Sequence, residues 1–291
     1  MDSSIRYVNS FGESTRLKAL RMELVKKIPR VPNNKASLEH MQSKGLPQII
    51  VDYVNWASRY VAPRPRAVTV EVAAMVDPRW RSISTQIDVF LEKVRRGDDL
   101  SPHLSWKVFT NGYAQMANVI EATIEEKWLD KDFELNSKGY HHFHLGTEKL
   151  NNGLVRRTNE LLFAKVTRED FLVVAIFDHE VFEADSVERS RLMRVHEEVA
   201  FRDLPPGAYV ARGNVVTSGH SEHVVRYAQH CSRIIKEIDP KLDDINFVKT
   251  LYQPQSEAPI WPKPRWEFDH LDLTIFDKAK PARLIFVQGW N

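Results

Sequence analysis

The chain has 291 residues, of which 43% are hydrophobic and 27% are charged, and its formal net charge is +2. These proportions are typical of an ordinary globular protein and exclude a largely disordered chain. No run approaches the roughly 20 apolar residues of a membrane-spanning helix, and the start of the chain lacks the basic and then apolar pattern of a signal peptide, so we expect a cytoplasmic protein without a membrane partner.

The first part of the chain is predicted to be mainly helical. Apolar residues recur at helical spacing, and prolines or glycines follow the runs. The predicted helices cover residues 17–28, 37–45, 49–61 and 83–94. Segment 67–76 fits either a strand or a helix, and residues 106–129 fit one long helix or two helices broken near Gly112.

The second part changes to the period-two pattern of strands. Residues 161–166 and 171–182 are rich in β-branched and aromatic side chains and are separated by a short polar turn, which predicts a β-hairpin. The other predicted elements are a strand at 140–145, a helix at 185–199, a strand at 208–211, a helix at 221–238, a proline-rich loop at 253–265 and a final hairpin with arms at 266–275 and 284–287.

These patterns predict an α+β fold, with a helical N-terminal region followed by an antiparallel-sheet region with flanking helices. A chain of this length is long enough to build two cores. We therefore expect a helical domain at 1–135 and an α+β domain at 136–291 that carries the chemistry.

The most informative stretch is the histidine-rich strand, which holds three of the eleven histidines. Because successive side chains of a strand point to opposite faces, Tyr140, His142 and His144 share one face, while His141 and Phe143 occupy the other. Imidazoles titrate near neutral pH, so two of them beside a phenol indicate a site that handles protons, a metal or a phosphate.

Basic side chains further along the chain provide companions for this strand. Arg156 and Arg157 come just before the first strand of the hairpin, His179 follows the second strand, and Arg194 lies on the next helix. If the three strands are neighbours, His142, His144, His179 and one of the two arginines meet at one edge of the sheet, and the helix of Arg194 follows closely. Tyr140, Arg156 and Arg194 are then candidates for binding the substrate, with the tyrosine on a phosphate or stacked on a base.

Cleavage of RNA by its own 2′-hydroxyl needs this set of groups. The reaction requires a base for the hydroxyl, an acid for the leaving 5′-oxygen and a fixed cation for the phosphorane charge. We expect His142 and His144 to act as acid and base, His179 to be the alternative acid and Arg157 to hold the phosphate. No cofactor is needed for this chemistry.

Two other interpretations of the histidines stay open. In the first, His142 and His144 bind zinc with His179 as a third ligand; a cysteine cluster is excluded because Cys231 is the only cysteine. Asp178, His220 and His223 are further candidates for the third ligand. In the second, the histidines are structural, with the two functional candidates hydrogen-bonded at the surface.

The order of elements between residues 138 and 200 resembles the small sheet of RelE-like toxin ribonucleases. The resemblance lies in an arginine pair, the strand Leu161-Leu162-Phe163-Ala164, a short turn, the strand Val173-Val174-Ala175-Ile176-Phe177 and then His179. It implies metal-independent cleavage of mRNA, regulation by an antitoxin and a role in phage defence. The long helical N-terminal region and the His-x-His strand depart from the compact toxin pattern.

The leading hypothesis is therefore an endoribonuclease of toxin or phage-defence type that acts on RNA and is controlled by an antitoxin or regulatory protein. The alternative is a non-catalytic module that binds protein or nucleic acid through its helical half, with structural or metal-bound histidines. The residue patterns specify neither the RNA target nor the oligomeric state.

Overall fold

A computed structural model describes residues 13–115, 129–205, 207–208, 215–252 and 257–291. The architecture is α+β, as predicted. Three predicted elements lie partly outside the described residues, namely the helix at 106–129, the strand at 208–211 and the proline-rich loop at 253–265.

The described helices are α1 (Thr15–Lys27), α2 (Lys35–Ser43), α3 (Leu46–Ala57), α4 (Val72–Met75), α5 (Pro78–Ser82), α6 (Ser84–Arg96), α7 (Lys107–Thr110), α8 (Phe133–Lys138), α9 (Val187–Phe201), α10 (Glu222–Ile238) and α11 (Ile245–Thr250). The described strands are β1 (Arg30–Val31), β2 (Ala67–Val70), β3 (Tyr113–Ala114), β4 (Tyr140–His144), β5 (Leu161–Val166), β6 (Asp170–Phe177), β7 (Pro264–Asp269), β8 (Asp272–Asp277) and β9 (Ala282–Val287). Single 3-10 turns occupy Ser101–His103, His179–Phe182 and Asp239–Asp243.

The segment 106–129, predicted as one long helix or as two helices broken near Gly112, begins with a short helix followed by a strand. Helix α7 lasts one turn, and the chain then forms β3, which pairs in parallel with β1. The break falls at Gly112, where a Cβ atom would lie 2.6 Å from Cδ of Pro29. The close approach of the two chains therefore requires glycine, and residues 116–128 lie outside the described structure.

The central sheet has the strand order β2-β6-β5-β4. The predicted hairpin is confirmed, because β5 and β6 pair antiparallel, and β4 pairs antiparallel with β5. The strands from the second part of the chain therefore pair antiparallel, as predicted, and β2 from the N-terminal region adds a parallel strand at the far edge by pairing with β6. The ambiguous segment 67–76 supplies both β2 and α4. Parallel pairing is possible here since a long connection through α4, α5 and α6 separates the two strands.

The two faces of this sheet pack against different helices. On one face, Tyr140 and Phe163 are buried with Leu192 of α9. On the other face, Phe143 and Leu162 are buried with residues of α6. The predicted alternation along β4 is therefore present, and it directs His142 and His144 to the α9 side.

A third apolar cluster joins the two ends of the chain. Leu24 and Tyr53 of the N-terminal helices are buried together with Cys231 of α10 and Trp266 of β7. The N-terminal helices thus bury part of their apolar surface against elements from beyond residue 135. The domain division at 135 and 136 stays a prediction.

The last sheet contains a turn that the sequence patterns did not predict. The run 266–275, expected to be one arm of a hairpin, folds back on itself between β7 and β8 at His270 and Leu271. His270 has a φ of 50°, and the hydroxyl of Tyr53 donates to its carbonyl at 2.9 Å. Strand β9 completes the sheet, and β7 begins inside the predicted proline-rich loop. Within the described ranges, no helix is long and apolar enough to cross a membrane.

Candidate active site at the end of the central sheet

The strand register brings the predicted histidines to one end of the central sheet. His144, the last residue of β4, pairs with Leu161, the first residue of β5. Leu161 in turn pairs with Phe177, the last residue of β6. His179 follows two residues later and begins a 3-10 turn. Since the three positions lie in line across the strands, His144 and His179 become neighbours.

The two imidazoles are close to each other and share a backbone neighbour. The ring centroids of His144 and His179 lie 5.5 Å apart, with an angle of 32° between the planes. Nε2 of His179 donates to the carbonyl oxygen of Thr158 at 3.2 Å, and the Thr158 backbone also lies close enough to the ring of His144 to raise its pKa. Thr158 therefore anchors the ring of His179 and lies beside the ring of His144.

The side chain of Thr158 ties the same segment to the end of β4. Its hydroxyl accepts from the backbone N–H of Leu145 at 3.1 Å and donates to the carbonyl of Glu160 at 2.6 Å. Sequence reasoning named only the arginines of this turn and missed Thr158. A threonine that acts through its backbone and one hydroxyl gives no residue-type signal of its own.

His144 is uncharged at neutral pH. The residue is only 3% exposed, and burial lowers the pKa of its imidazole to about 4. Nearby positive charge on Arg157, and on His142 and His179 when they are protonated, adds to this lowering, while the hydrogen bond to Thr158 opposes it. Nδ1 has no hydrogen-bond partner among the described residues. The ring is therefore a neutral acceptor.

The structure separates the two candidate arginines. Arg156 is exposed and forms a two-point ion pair with Glu148, at 2.6 and 3.1 Å. Arg157 is also exposed, lies near enough to His144 to lower its pKa, and has no ion-pair partner among the described residues. The geometry thus favours Arg157 as the cation that is available to a ligand.

His142 lies beside the pair, in a more aromatic environment. Its ring stacks against Phe163 at 5.7 Å between centroids and meets the edge of Phe182 at 5.2 Å. Nδ1 lies 4.0 Å from a carboxylate oxygen of Asp132, which is too long for a hydrogen bond. Asp132 and Phe182 were both missed by the sequence reasoning. Asp132 lies outside the predicted strands, and Phe182, at the end of the predicted strand 171–182, carries no group that titrates or binds an anion.

Tyr140 is not placed to contact a ligand in this structure. It is 2% exposed, its hydroxyl lies 3.1 Å from Nδ1 of His196 on α9, and burial raises its pKa to about 12. Arg194 is exposed on the same helix. Neither residue forms a hydrogen bond or an ion pair with the His144 and His179 pair in the described part of the chain.

A network of charges fixes the turn that carries His179. Asp178 caps this turn by accepting from the backbone N–H of Glu180 at 2.9 Å. The backbone N–H of Asp178 donates to Glu188 on α9 at 3.2 Å, and Arg79 bridges Glu188 at 3.1 Å and Asp77 at 2.9 Å. The pKa of Asp77 is lowered, since hydrogen bonds and charge from Arg79 and Arg191 outweigh the opposing effect of burial. His179 is thus held by contacts between distant segments.

The described residues contain no group of three His, Cys, Asp or Glu side chains arranged to hold a metal ion. The three histidines of the zinc interpretation are neighbours, but they do not converge as ligands within the described structure. Zinc binding by His142, His144 and His179 therefore stays an untested alternative, which metal analysis can decide.

Comparison of the chain with protein-family models, with curated proteins and with solved structures finds no match. The resemblance to RelE-like toxins accordingly stays a hypothesis that rests on the residues between 138 and 200.

Proposed function

We propose that the chain is a metal-independent endoribonuclease of toxin or phage-defence type. The observation that carries the proposal is the pair of imidazoles 5.5 Å apart, His144 and His179, beside the guanidinium of Arg157, which has no ion-pair partner among the described residues. Two groups that exchange protons and one cation are the minimum set for cleavage of RNA by its 2′-hydroxyl.

The roles follow from the environment of each group. Nδ1 of His144 is buried in this structure, so the bound RNA must first open the site to reach it. Nδ1 then takes the proton of the 2′-hydroxyl, and the 2′-oxygen attacks phosphorus. The bond from phosphorus to the 5′-oxygen breaks, and protonated His179 donates its proton to that oxygen. Arg157 balances the charge of the phosphorane. The products are a 2′,3′-cyclic phosphate and a 5′-hydroxyl end, so all atoms and protons are accounted for.

The lowered pKa of His144 is compatible with the role of a base. At about 4, the pKa leaves the ring neutral and able to accept at physiological pH. A bound phosphate places negative charge beside the ring, and a nearby opposite charge favours the protonated form. The pKa therefore moves towards neutrality when the substrate is bound, which strengthens the base where it is needed.

The proposed roles differ from those expected for the candidate residues from the sequence. His142 was expected to act together with His144, but its ring packs against Phe163 and Phe182 and lies 4.0 Å from Asp132. In this proposal His142 therefore helps to position the site and does not transfer a proton. The toxin or defence role, and an antitoxin as partner, rest on the resemblance alone. The alternative, a binding module without catalysis, predicts that RNA is bound and left intact.

The test is incubation of the purified chain with end-labelled RNA in the presence of EDTA. We expect cleavage with 2′,3′-cyclic phosphate ends, and no cleavage of an RNA whose 2′-hydroxyls are methylated. Intact RNA, or products with 3′-hydroxyl ends, would contradict the proposed mechanism. Expression of the chain alone in cells tests toxicity, and growth arrest that depends on His144 supports the toxin assignment.

A further inference from the structure

The two faces of the C-terminal sheet, formed by β7, β8 and β9, differ in character. Trp266 and Ile275, on the first face, are buried together with residues of α1, α3 and α10. On the second face, Arg265 pairs with Phe276, and Phe276 pairs with Arg283. Side chains at paired positions point to the same side of a sheet, so these three form one row across it. The side chains of Arg265 and Arg283 are 39% and 49% exposed, which leaves the row accessible to a ligand.

The two guanidiniums of this row are held in place before any ligand binds. The guanidinium of Arg265 lies 4.8 Å from the ring centroid of Phe276, and that of Arg283 lies 5.8 Å from it. Nη2 of each arginine also donates to the carboxylate of Glu267 at 3.1 Å. Because both side chains are already ordered, a ligand that contacts them loses less affinity to the cost of side-chain ordering.

Two lysines extend the positive charge towards the turn between β8 and β9. The backbone N–H of Lys278 donates to the carbonyl of Lys263 at 3.3 Å, so the pairing continues one step beyond β7 and β8. Lys263 is two residues from Arg265, and Lys278 is two residues from Phe276. Period-two alternation therefore places both lysines on the same side as the row, about 7 Å further along the strands. Both are exposed, and neither has an ion-pair partner among the described residues.

An exposed tryptophan lies beside these lysines. Trp261 is 73% exposed. The stretch that holds it is attached at both of its ends to the turn between β8 and β9. Nζ of Lys280 donates to the carbonyl of Glu257 at 2.7 Å, and Lys263 is bonded to Lys278. Since at most about 7 Å of backbone separates Trp261 from Lys263, one ligand can contact the indole and the lysines together.

Positive charge exceeds negative charge on this surface. Its acids are Glu267, which the two arginines share, and Asp269, whose carboxylate lies 3.8 Å from Nε of Arg283. Lys280 and Glu257 add one charge of each sign. The two lysines beyond the row therefore leave an excess of positive charge, which is complementary to a polyanion.

Cations beside exposed rings are the combination that binds single-stranded nucleic acid. Lysines contact the phosphates, whereas the flat faces of an indole or a guanidinium stack on unpaired bases. The bases of a duplex are stacked on one another, so a duplex offers mainly its phosphates to such a surface. The combination therefore favours a single strand.

We propose that this surface binds single-stranded RNA. Lys263 and Lys278 hold phosphates, and bases stack on Trp261 and on the guanidinium of Arg283. The choice of RNA over DNA rests on the proposed function, in which RNA is the substrate, but the binding uses neither His144 nor His179. The surface, which we call the basic sheet face, consists of Trp261, Lys263, Arg265, Phe276, Lys278 and Arg283.

The test measures binding without cleavage, by fluorescence anisotropy. The probe is a labelled 2′-O-methyl RNA dodecanucleotide, used as a single strand and as a duplex, which lacks the attacking hydroxyl. The variant is Trp261→Ala/Lys263→Gln. The matched control is Trp106→Ala/Lys107→Gln, which also removes an exposed tryptophan and a nearby exposed lysine. This control lies at the start of α7, whose Val108 packs in the cluster between α6 and the central sheet. Thermal unfolding checks that both variants are folded.

We expect the wild type to bind the single strand more tightly than the duplex. The variant should bind the single strand at least about tenfold more weakly than the wild type, because a stacking contact is lost. Its salt slope should fall by about 0.7, as expected for the loss of one phosphate contact to a single strand. The control should bind like the wild type.

No binding of the single strand by the wild type, or equal affinity of the variant and the wild type, would overturn the inference. So would equal losses in the variant and the control, or tighter binding of the duplex than of the single strand. Ile260 is 75% exposed, and apolar side chains beside lysines also suit the surface of an anionic membrane. Binding to vesicles of phosphatidylcholine and phosphatidylserine, without binding of the single strand, would assign the basic sheet face to lipid instead.

The outcome is independent of catalysis, because the methylated probe is not a substrate of the proposed reaction. Binding of the single strand by a chain that leaves RNA intact contradicts only the proposed function. RNA cleavage by a chain whose variant and wild type bind the probe equally contradicts only this inference.

Discussion

His144 and His179 lie 5.5 Å apart between ring centroids, although two strands of the central sheet separate them in the chain. The backbone carbonyl of Thr158 accepts a hydrogen bond from His179, and the Thr158 backbone raises the pKa of His144. This relationship depends on the register of β4, β5 and β6, because the register determines that the end of β4, the start of β5 and the end of β6 coincide.

The first prediction concerns Thr158. Replacing Thr158 by valine keeps the shape of the side chain but removes the acceptor for Leu145 N–H, and a buried donor left without a partner costs about 1–3 kcal/mol. We expect a lower free energy of unfolding by about that amount, measured in urea, together with slower RNA cleavage. Thr158→Ser retains the hydroxyl and should restore both properties. Equal stability of Thr158→Val and the wild type would show that the hydroxyl does not hold the turn.

The second prediction compares the two neighbouring arginines. Arg157→Ala should raise the pKa of His144, because the guanidinium is a cause of its lowering, and should slow cleavage about 100-fold or more if Arg157 balances the phosphorane. Arg156→Ala is the control, since Arg156 is paired with Glu148. NMR titration of the imidazole and single-turnover kinetics give the two readouts. The reverse ranking of the variants would assign the phosphate to Arg156 instead.

The third prediction is a loss of stability in mild acid. Burial lowers the pKa of His103, His141 and His144 to about 4, and that of His220 to about 3, from 6.5. Between these values the unfolded chain binds more protons than the folded protein, so stability rises with pH there. The stability is full above about pH 6.5 and is lost as the pH falls towards 4.

We expect the free energy of unfolding to fall by about 2 kcal/mol for each such histidine between pH 7.5 and pH 5. Urea denaturation at a series of pH values measures this change. The interval from pH 6.5 to pH 5 is the most informative, because most carboxylates remain ionised there. A flat profile over this interval would mean that the histidines are not buried as described.

The fourth prediction addresses metal. The proposed mechanism needs no ion, so cleavage should be unchanged after dialysis against EDTA. Metal analysis of the purified chain and of His144→Ala distinguishes the zinc interpretation. An equimolar ion that is held by the wild type and lost from this variant would contradict the metal-free mechanism.

Local patterns predicted much of the fold. Alternation assigned His142 and His144 to one face, and composition with a polar turn identified the hairpin of β5 and β6. The pairing of β2 with β6 was not predictable in this way. Strand order depends on contacts between distant segments, and the spacing of hydrophobic residues along the chain does not reveal it. The turn at His270 was missed because its positive φ is supported by tertiary contacts, including the Tyr53 hydroxyl.

In the candidate site, too, some residues could be predicted from local patterns and others depend on contacts between distant segments. The histidines and Arg157 have a residue-type signal, so they could be named from the sequence. Thr158 acts mainly through its backbone, and the network of Asp77, Arg79 and Glu188 joins segments far apart in the chain. Such contacts appear only when the strand order is known.

The most direct test of the account is the single-turnover rate of RNA cleavage by His144→Gln and His179→Ala, each confirmed to be folded by its thermal midpoint. The control is His230→Ala on α10, whose Nδ1 lies 3.0 Å from Arg233 and which has no part in the proposed chemistry. We predict that each active-site variant loses at least about 100-fold in rate and that the control stays within about twofold of the wild type. A folded His144 or His179 variant that cleaves RNA as fast as the control would contradict the central claim.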